Sequence, residues 1–315
     1  MIIKIVSTHI AAQLRLQVLV PTLKRYGHQI TDNAAMADLY LLDCMRVDHI
    51  PQDIIEELLD YKGQILLTSL GDWHSFNTSM EGRDLPESII DRAIAFAKLQ
   101  WTKDDTDYDP RIVGKQIVMN PFLVGGLPTP SLDKKPIVSF YGLPTGALET
   151  EDNLRIRACR LLKDYPWFEG GLVGQEPGAH RDIAGLETGH RPRSFYLRSI
   201  NKSQASLCMP GNSVLTYRHF ESMGMKSCII TCCLNQFKWL NRMIPGDHYL
   251  EVSPDLSNLV EVCEQAIRDR GTTKRIAQNA YELYEAFYRL MPDGGMTEAM
   301  WKDIASQWRQ VGIEI

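Results

Sequence analysis

The sequence has no apolar run approaching the roughly 18 residues that a membrane span requires, so no transmembrane segment is expected. Its opening, Met1-Ile2-Ile3-Lys4-Ile5-Val6, is apolar but too short for the core of a secretory signal. No Gly-x-Gly-x-x-Gly follows that first apolar run, and no Walker loop occurs anywhere. Both absences weigh against a dehydrogenase or a nucleotide hydrolase. Basic charge is not in excess either: 34 Lys and Arg stand against 39 Asp and Glu, a net charge of −5. Coating a nucleic acid requires a concentrated basic surface, so no nucleic-acid partner is expected, although a compact anion site remains open. Cysteine is sparse and odd in number, with seven in the chain, several in apolar strand-like segments. That excludes a disulfide framework and points to a reducing, cytoplasmic setting. Cys228, Cys232 and Cys233 crowd one segment, but strand side chains alternate between faces. They read as packing residues, and no metal site is expected.

What is present is an ordinary globular composition, 44% apolar and 23% charged over 315 residues. At about 150 residues per domain this length suggests two. Short β-branched or apolar runs at 2–7, 38–44, 64–70 and 112–119 read as strands. Segments at 11–26, 51–61 and 86–101 between them read as helices, the first stopping at Gly27 and the second opening on Pro51. Two Gly, three Pro and a charge cluster within 125–136 mark a linker. The alternation then restarts, with strands expected at 137–141, 168–173, 205–210, 227–232 and 248–252, and helices at 151–165, 194–203, 217–223, 256–269 and 273–290. The stretch 174–193 reads as a loop, and a last amphipathic helix at 297–310 follows the breaker Pro292-Asp293-Gly294-Gly295. Such alternation gives parallel sheets covered by helices on both faces. The expected architecture is α/β: two Rossmann-like domains facing across a cleft, spanning 1–125 and 137–296, a 126–136 linker between them, and a terminal 297–315 segment.

Ligands in such sheets bind beyond the C-terminal strand ends, so the residues after each strand matter most. The richest stretch is 203–231, a strand, a loop, a helix and a strand. The loop Pro210-Gly211-Asn212-Ser213 lets the backbone approach a ligand closely, and the helix behind it, preceded by Thr216, turns its free amides toward the same place. That arrangement suits a phosphate. Arg218 adds a fork of donors matched to diphosphate oxygens. Glu221, three residues on and on the same helical face, can accept hydrogen bonds from a ribose or sugar diol. The plainer reading is a surface Arg–Glu pair on a helix that merely packs.

Arg218-His219-Phe220-Glu221, then Gly224 and the apolar 228–231 strand, resembles the donor-binding half of GT-B glycosyltransferases, in particular the exostosin-like and spore-coat CgeB-like groups. The resemblance covers about 135–290. It includes Lys135-Pro136-Ile137-Val138-Ser139-Phe140-Tyr141-Gly142 as first strand and loop, His248-Tyr249-Leu250-Glu251-Val252 as a later strand, and Arg275-Ile276-Ala277-Gln278-Asn279-Ala280 in the penultimate helix. Many relatives carry Arg where Tyr141 stands; Arg191 or Arg193 can take over that phosphate contact. The resemblance implies a sugar-nucleotide donor, such as a UDP- or GDP-sugar, held by the second domain, and a glycan or other hydroxyl acceptor on the first. It implies no cofactor and no essential metal. It also implies that the last helix crosses back to the first domain.

Transfer to a hydroxyl requires a base within hydrogen-bond reach of it. By the strand-end rule the candidates are Asp72 first and His74 second, after the third strand, with Trp73 between them placed to stack on a sugar. His9 and Asp43, after the first and second strands, are further acceptor-side candidates. Asp105-Thr106-Asp107 and Asp107-Tyr108-Asp109 spell the Asp-x-Asp of GT-A enzymes, but they follow an expected helix rather than an apolar strand and read as an acidic solvated loop. Two rival readings share the architecture: a sugar-nucleotide epimerase or hydrolase, and a non-catalytic nucleotide-sugar binding protein.

Overall fold

The computed structural model describes residues 1–7, 13, 16–44, 50–69, 85–98, 101–104, 108–119, 126–143, 153–174, 188–211, 214–232, 234–238 and 243–315. The chain divides into two compact units. The first is Met1–Leu123 with Gln236–Asn241 and Leu290–Ile315; the second is Val124–Asn235 with Arg242–Arg289.

The first unit contains β1 (Ile2–Val6), β2 (Gln29–Ile30), β3 (Leu39–Asp43), β4 (Gln64–Ser69), β5 (Ala93–Lys98), β6 (Trp101–Thr102) and β7 (Gln116–Val118). The second contains β8 (Lys135–Tyr141), β9 (Phe168–Gly174), β10 (Thr188–His190), β11 (Ser203–Leu207) and β12 (Cys228–Thr231). The chain visits the first unit again for β13 (Phe237–Lys238), antiparallel to β6, before β14 (Tyr249–Glu251) completes the second sheet.

Both six-stranded sheets are parallel throughout. Their orders are β2-β1-β3-β4-β5-β7 and β10-β9-β8-β11-β12-β14. Each is doubly wound, so each has a switch point where the strand order reverses and loops splay apart to leave room for a ligand. The switch lies between β1 and β3 in the first sheet and between β8 and β11 in the second. Central strands are covered on both faces, which explains their unbroken apolar runs: Leu39 to Leu42 and Ile65 to Leu67 are fully buried.

One segment departs from expectation. The stretch 86–101 reads as one helix, yet only Glu87–Arg92 is helical and Ala93–Lys98 is β5. Alanines favour a helix in isolation. Here Ala93, Ala95, Phe96 and Ala97 are buried in an inner strand, and burial on both faces overrides local propensity. The expected loop at 174–193 likewise contains the short edge strand β10.

The helix Glu298–Gln310 belongs to the first unit. Thr297 caps it by accepting from the Met300 N–H at 3.2 Å. It buries Met300, Trp301, Ile304, Ala305 and Trp308. On the edge strand β7, the Val118 N–H donates to Gln307 Oε1 at 2.7 Å, and Gln307 Nε2 donates to the Val118 carbonyl at 3.1 Å. One side-chain amide thus satisfies both backbone groups of Val118, which point outward from this edge strand. Arg25 binds Asp293 in a two-pronged ion pair, and Thr22 Oγ1 accepts from the Met296 N–H at 2.8 Å. No helix among the described residues is long and apolar enough to cross a membrane. The six described cysteines are buried free thiols, and Cys233 lies outside the described residues.

Candidate functional site

The second unit brings one group of buried polar residues together at the switch point between β8 and β11. β8 ends on Tyr141, followed by Gly142; β11 leads into Cys208, Met209, Pro210 and Gly211. The helix Tyr217–Gly224 follows, with every residue from Arg218 to Gly224 buried. Gly224 is tight for a reason: a Cβ there would lie 2.4 Å from Leu127 Cδ1 and 3.0 Å from the Tyr284 ring.

Arg218 bridges the switch point. Its Nη2 donates to the Tyr141 carbonyl at 2.5 Å, and its Cζ lies 4.5 Å from the Phe140 ring centroid and 5.4 Å from that of Tyr196. Aromatic faces stabilise a cation there without neutralising it. Gly142 keeps that place open, because a Cβ on it would meet Arg218 Nη2 at 2.5 Å. Arg218 Nε is buried with no partner, and among the described residues Arg218 forms no ion pair.

The surface Arg–Glu pair does not exist. Glu221 turns instead to the helix Arg193–Lys202: Oε1 accepts from Arg193 Nη2 at 2.9 Å, and Oε2 accepts from the Tyr196 hydroxyl at 2.6 Å. Burial, with Glu221 alongside, raises the Tyr196 pKa well above its usual value, so Tyr196 remains a donor. Arg193 is therefore committed to Glu221, while the exposed Arg191 packs its guanidinium 5.4 Å from the Phe195 ring.

His219 fastens the turn from Thr216 into this helix. The Thr216 N–H donates to Nδ1 at 3.1 Å. A backbone amide can only donate, so Nδ1 is the bare nitrogen and Nε2 carries the proton. Nε2 faces Thr231 Oγ1 at 3.1 Å, whose own hydroxyl donates to the Cys208 carbonyl at 2.7 Å. Burial, opposed in part by the Thr216 backbone, lowers the His219 pKa to about 3. The folded value thus lies below the unfolded one of about 6.5. Between those limits the unfolded chain binds a proton that the folded chain does not, so stability is expected to fall as pH drops through that window. In a nitrogen-15 imidazole titration His219 should keep the neutral Nε2–H pattern at about pH 5, one and a half units below the free value. An imidazolium signal there in the folded protein would contradict this geometry.

Sequence reading missed Arg155. It is buried, and its guanidinium donates to the Leu143 carbonyl at 2.8 Å and the Pro210 carbonyl at 3.0 Å, tying the loop after β8 to the loop after β11. Helical patterning gave no hint, because the carbonyls it clamps lie far away in sequence. Asn212 and Ser213 lie outside the described residues.

The first unit has its own polar group at strand ends. At its switch point the Ser7 hydroxyl lies 3.4 Å from Asp43 Oδ2. In register, Asp43 neighbours Thr68 and Ser69 neighbours Lys98, and all four are buried. Burial pushes the Cys44 thiol up, Asp43 adds to that, and Lys98 opposes it. Lys98 was hidden to sequence reading because it falls in the segment read as helix. His9, Asp72, Trp73 and His74 lie outside the described residues. Of the two Asp-x-Asp runs, Asp109 is held by Arg111 at 2.6 Å, and positions 105–107 are not described.

No family profile matches the chain, and neither does any curated protein. Solved structures do. TarM aligns with a TM-score of 0.56 at 10% identity over 87% of this chain, which spans only 54% of TarM. Sucrose-phosphate synthase from Thermosynechococcus elongatus aligns at 0.56 and 14% identity, over 95% of this chain and 79% of that one. The DNA-modifying enzyme β-glucosyltransferase, solved with and without its substrate uridine diphosphoglucose, aligns at 0.55 and 11% identity over 99% of both chains. The fold is that of GT-B glycosyltransferases, two parallel-sheet α/β domains.

Proposed function

We propose that the chain is a glycosyltransferase that moves a sugar from a nucleotide-sugar donor to a hydroxyl acceptor. Arg218 carries this reading: a buried guanidinium at the switch point of the second sheet, steadied by aromatic rings and a carbonyl, with no carboxylate among the described residues to neutralise it. Such a group suits the two phosphates of a leaving nucleoside diphosphate, where charge develops during transfer. The helix start after Thr216 supplies backbone donors near it, and Gly211, Asn212 and Ser213 are assigned to the same phosphates. Glu221, already gripped by Arg193 and Tyr196, keeps spare lone pairs for a ribose or donor-sugar diol. A UDP-sugar is the favoured donor, because the β-glucosyltransferase of the same fold takes uridine diphosphoglucose. The Arg–x–x–Glu order favours the exostosin-like and CgeB-like groups within the fold. On the acceptor side, Asp43 with Ser7 binds hydroxyls, and Asp72 or His74 takes the proton.

The test is a thermal-shift screen of UDP- and GDP-sugars followed by product analysis. A bound donor at about 100 times its Kd stabilises the folded state by about 2.7 kcal/mol, so a concentration-dependent rise in Tm is expected. Glycosylated product should form only when an acceptor is added. Donor breakdown without an acceptor would indicate a hydrolase or epimerase. A donor that stabilises but never reacts would indicate a binding protein, and no stabilisation by any donor would defeat all three readings.

A further inference from the structure

The second unit has a cavity of about 460 Å³ at the opposite ends of these strands. Lys134 immediately precedes β8, Gln204 is the second residue of β11, and Lys226 lies two residues before β12. Arg270 opens the helix Arg270–Leu283, and Lys274 stands one turn along it. Seven residues of β8 at about 3.3 Å each separate this cavity from the loop after Tyr141 by roughly 20 Å. It is therefore a separate place from the site of Arg218.

Four cations and a single acid, Asp133, line it. Among the described residues none of the four pairs with a carboxylate. Lys134 Nζ donates to the carbonyls of Asn201 and Met225 at 2.5 and 2.7 Å, and Arg270 Nη2 donates to the Lys134 carbonyl at 2.9 Å. Lys226, on left-handed backbone with φ 53°, holds its ammonium 4.2 Å from the Tyr281 ring centroid. Carbonyl and ring contacts position these charges and leave their sum uncancelled, and like charges around a hollow repel one another. Burial and Lys226 lower the Lys134 pKa to about 8. Gln204 is also buried, and its Nε2 donates to the Ala266 carbonyl at 2.5 Å while its Oε1 has no partner. An unpartnered buried acceptor calls for a donor such as a hydroxyl.

We infer that this cavity binds a phosphate bearing a hydroxylated carbon chain, of which glycerol phosphate is the simplest member. The four cations take the phosphate and Gln204 takes a hydroxyl. A volume of this size falls within the range of small-molecule sites, larger than a bare phosphate needs. The same chemistry occurs in a free polyol phosphate and in an anionic lipid headgroup. Leu132, 92% exposed and on the cavity lining, suits insertion beside the latter.

The test is calorimetric titration of the intact chain with sn-glycerol 3-phosphate, and co-sedimentation with phosphatidylglycerol against phosphatidylcholine vesicles. Binding is expected, and the double variant Arg270→Glu with Lys274→Glu, both exposed positions, should weaken it by about tenfold or more. UDP affinity should be unchanged in that variant, which separates this site from the donor site. Gln204→Leu should weaken glycerol 3-phosphate more than inorganic phosphate. Binding of the soluble phosphate alone assigns a metabolite site. Sedimentation with phosphatidylglycerol that Leu132→Ser abolishes assigns a headgroup site. Failure of both ligands to bind, or equal binding by the double variant, overturns the inference.

Discussion

Replacing Arg218 with alanine is expected to lower kcat/KM for sugar transfer by about 10²–10³-fold, the usual cost of removing one positioned donor from a developing charge, while the chain stays folded. The guanidinium makes one hydrogen bond inside the unit, to the Tyr141 carbonyl. Its removal therefore leaves a single acceptor short of a partner rather than a broken ion pair. The loss should fall more on kcat than on KM, since charge on the diphosphate grows toward the transition state. Arg218→Lys restores the charge without the fork and should recover only part of the activity. Circular dichroism and Tm serve as the control. Near-normal turnover in a folded Arg218→Ala protein would remove Arg218 from the donor site. A collapse of Tm equal to the loss of activity would make it a structural residue.

Trp308→Ala is expected to cost about 3–5 kcal/mol of stability, the range for deleting a buried tryptophan side chain. Trp308 is fully buried, and its ring meets Trp301 edge-on with centroids 6.0 Å apart. The damage should be confined to the first unit, because the helix Glu298–Gln310 packs there. Urea unfolding should show a lower midpoint for that unit, while UDP titration should show the second unit's affinity unchanged. An unaltered midpoint would mean the helix contributes little to the first unit's stability.

The sequence made the class of fold legible because parallel strands buried on both faces announce themselves as short apolar runs. The switch-point residues Tyr141, Gly211, Arg218 and Glu221 were legible by the same logic, as residues that follow such runs. What escaped notice depends on contacts between residues distant in sequence. The strand Ala93–Lys98 looks helical until its neighbours bury it, and its misreading concealed Lys98. Glu221 has Arg218 three residues away in sequence, yet it pairs with Arg193 and Tyr196 from another helix, a choice no periodicity encodes. Arg155 clamps carbonyls 12 and 55 positions away.

The amide of Gln307 on Val118 has a consequence for how the chain is made. Val118 emerges from the ribosome 189 residues before its partner. Throughout synthesis of nearly the whole second unit, the outer strand of the first sheet is a bare template for pairing with another chain. The second unit can complete its core while the first still waits for its last helix. Any slowing of translation across 124–289 prolongs that exposure. Misassembly of nascent chains is therefore expected to begin at the β7 edge, before either proposed site has met a ligand.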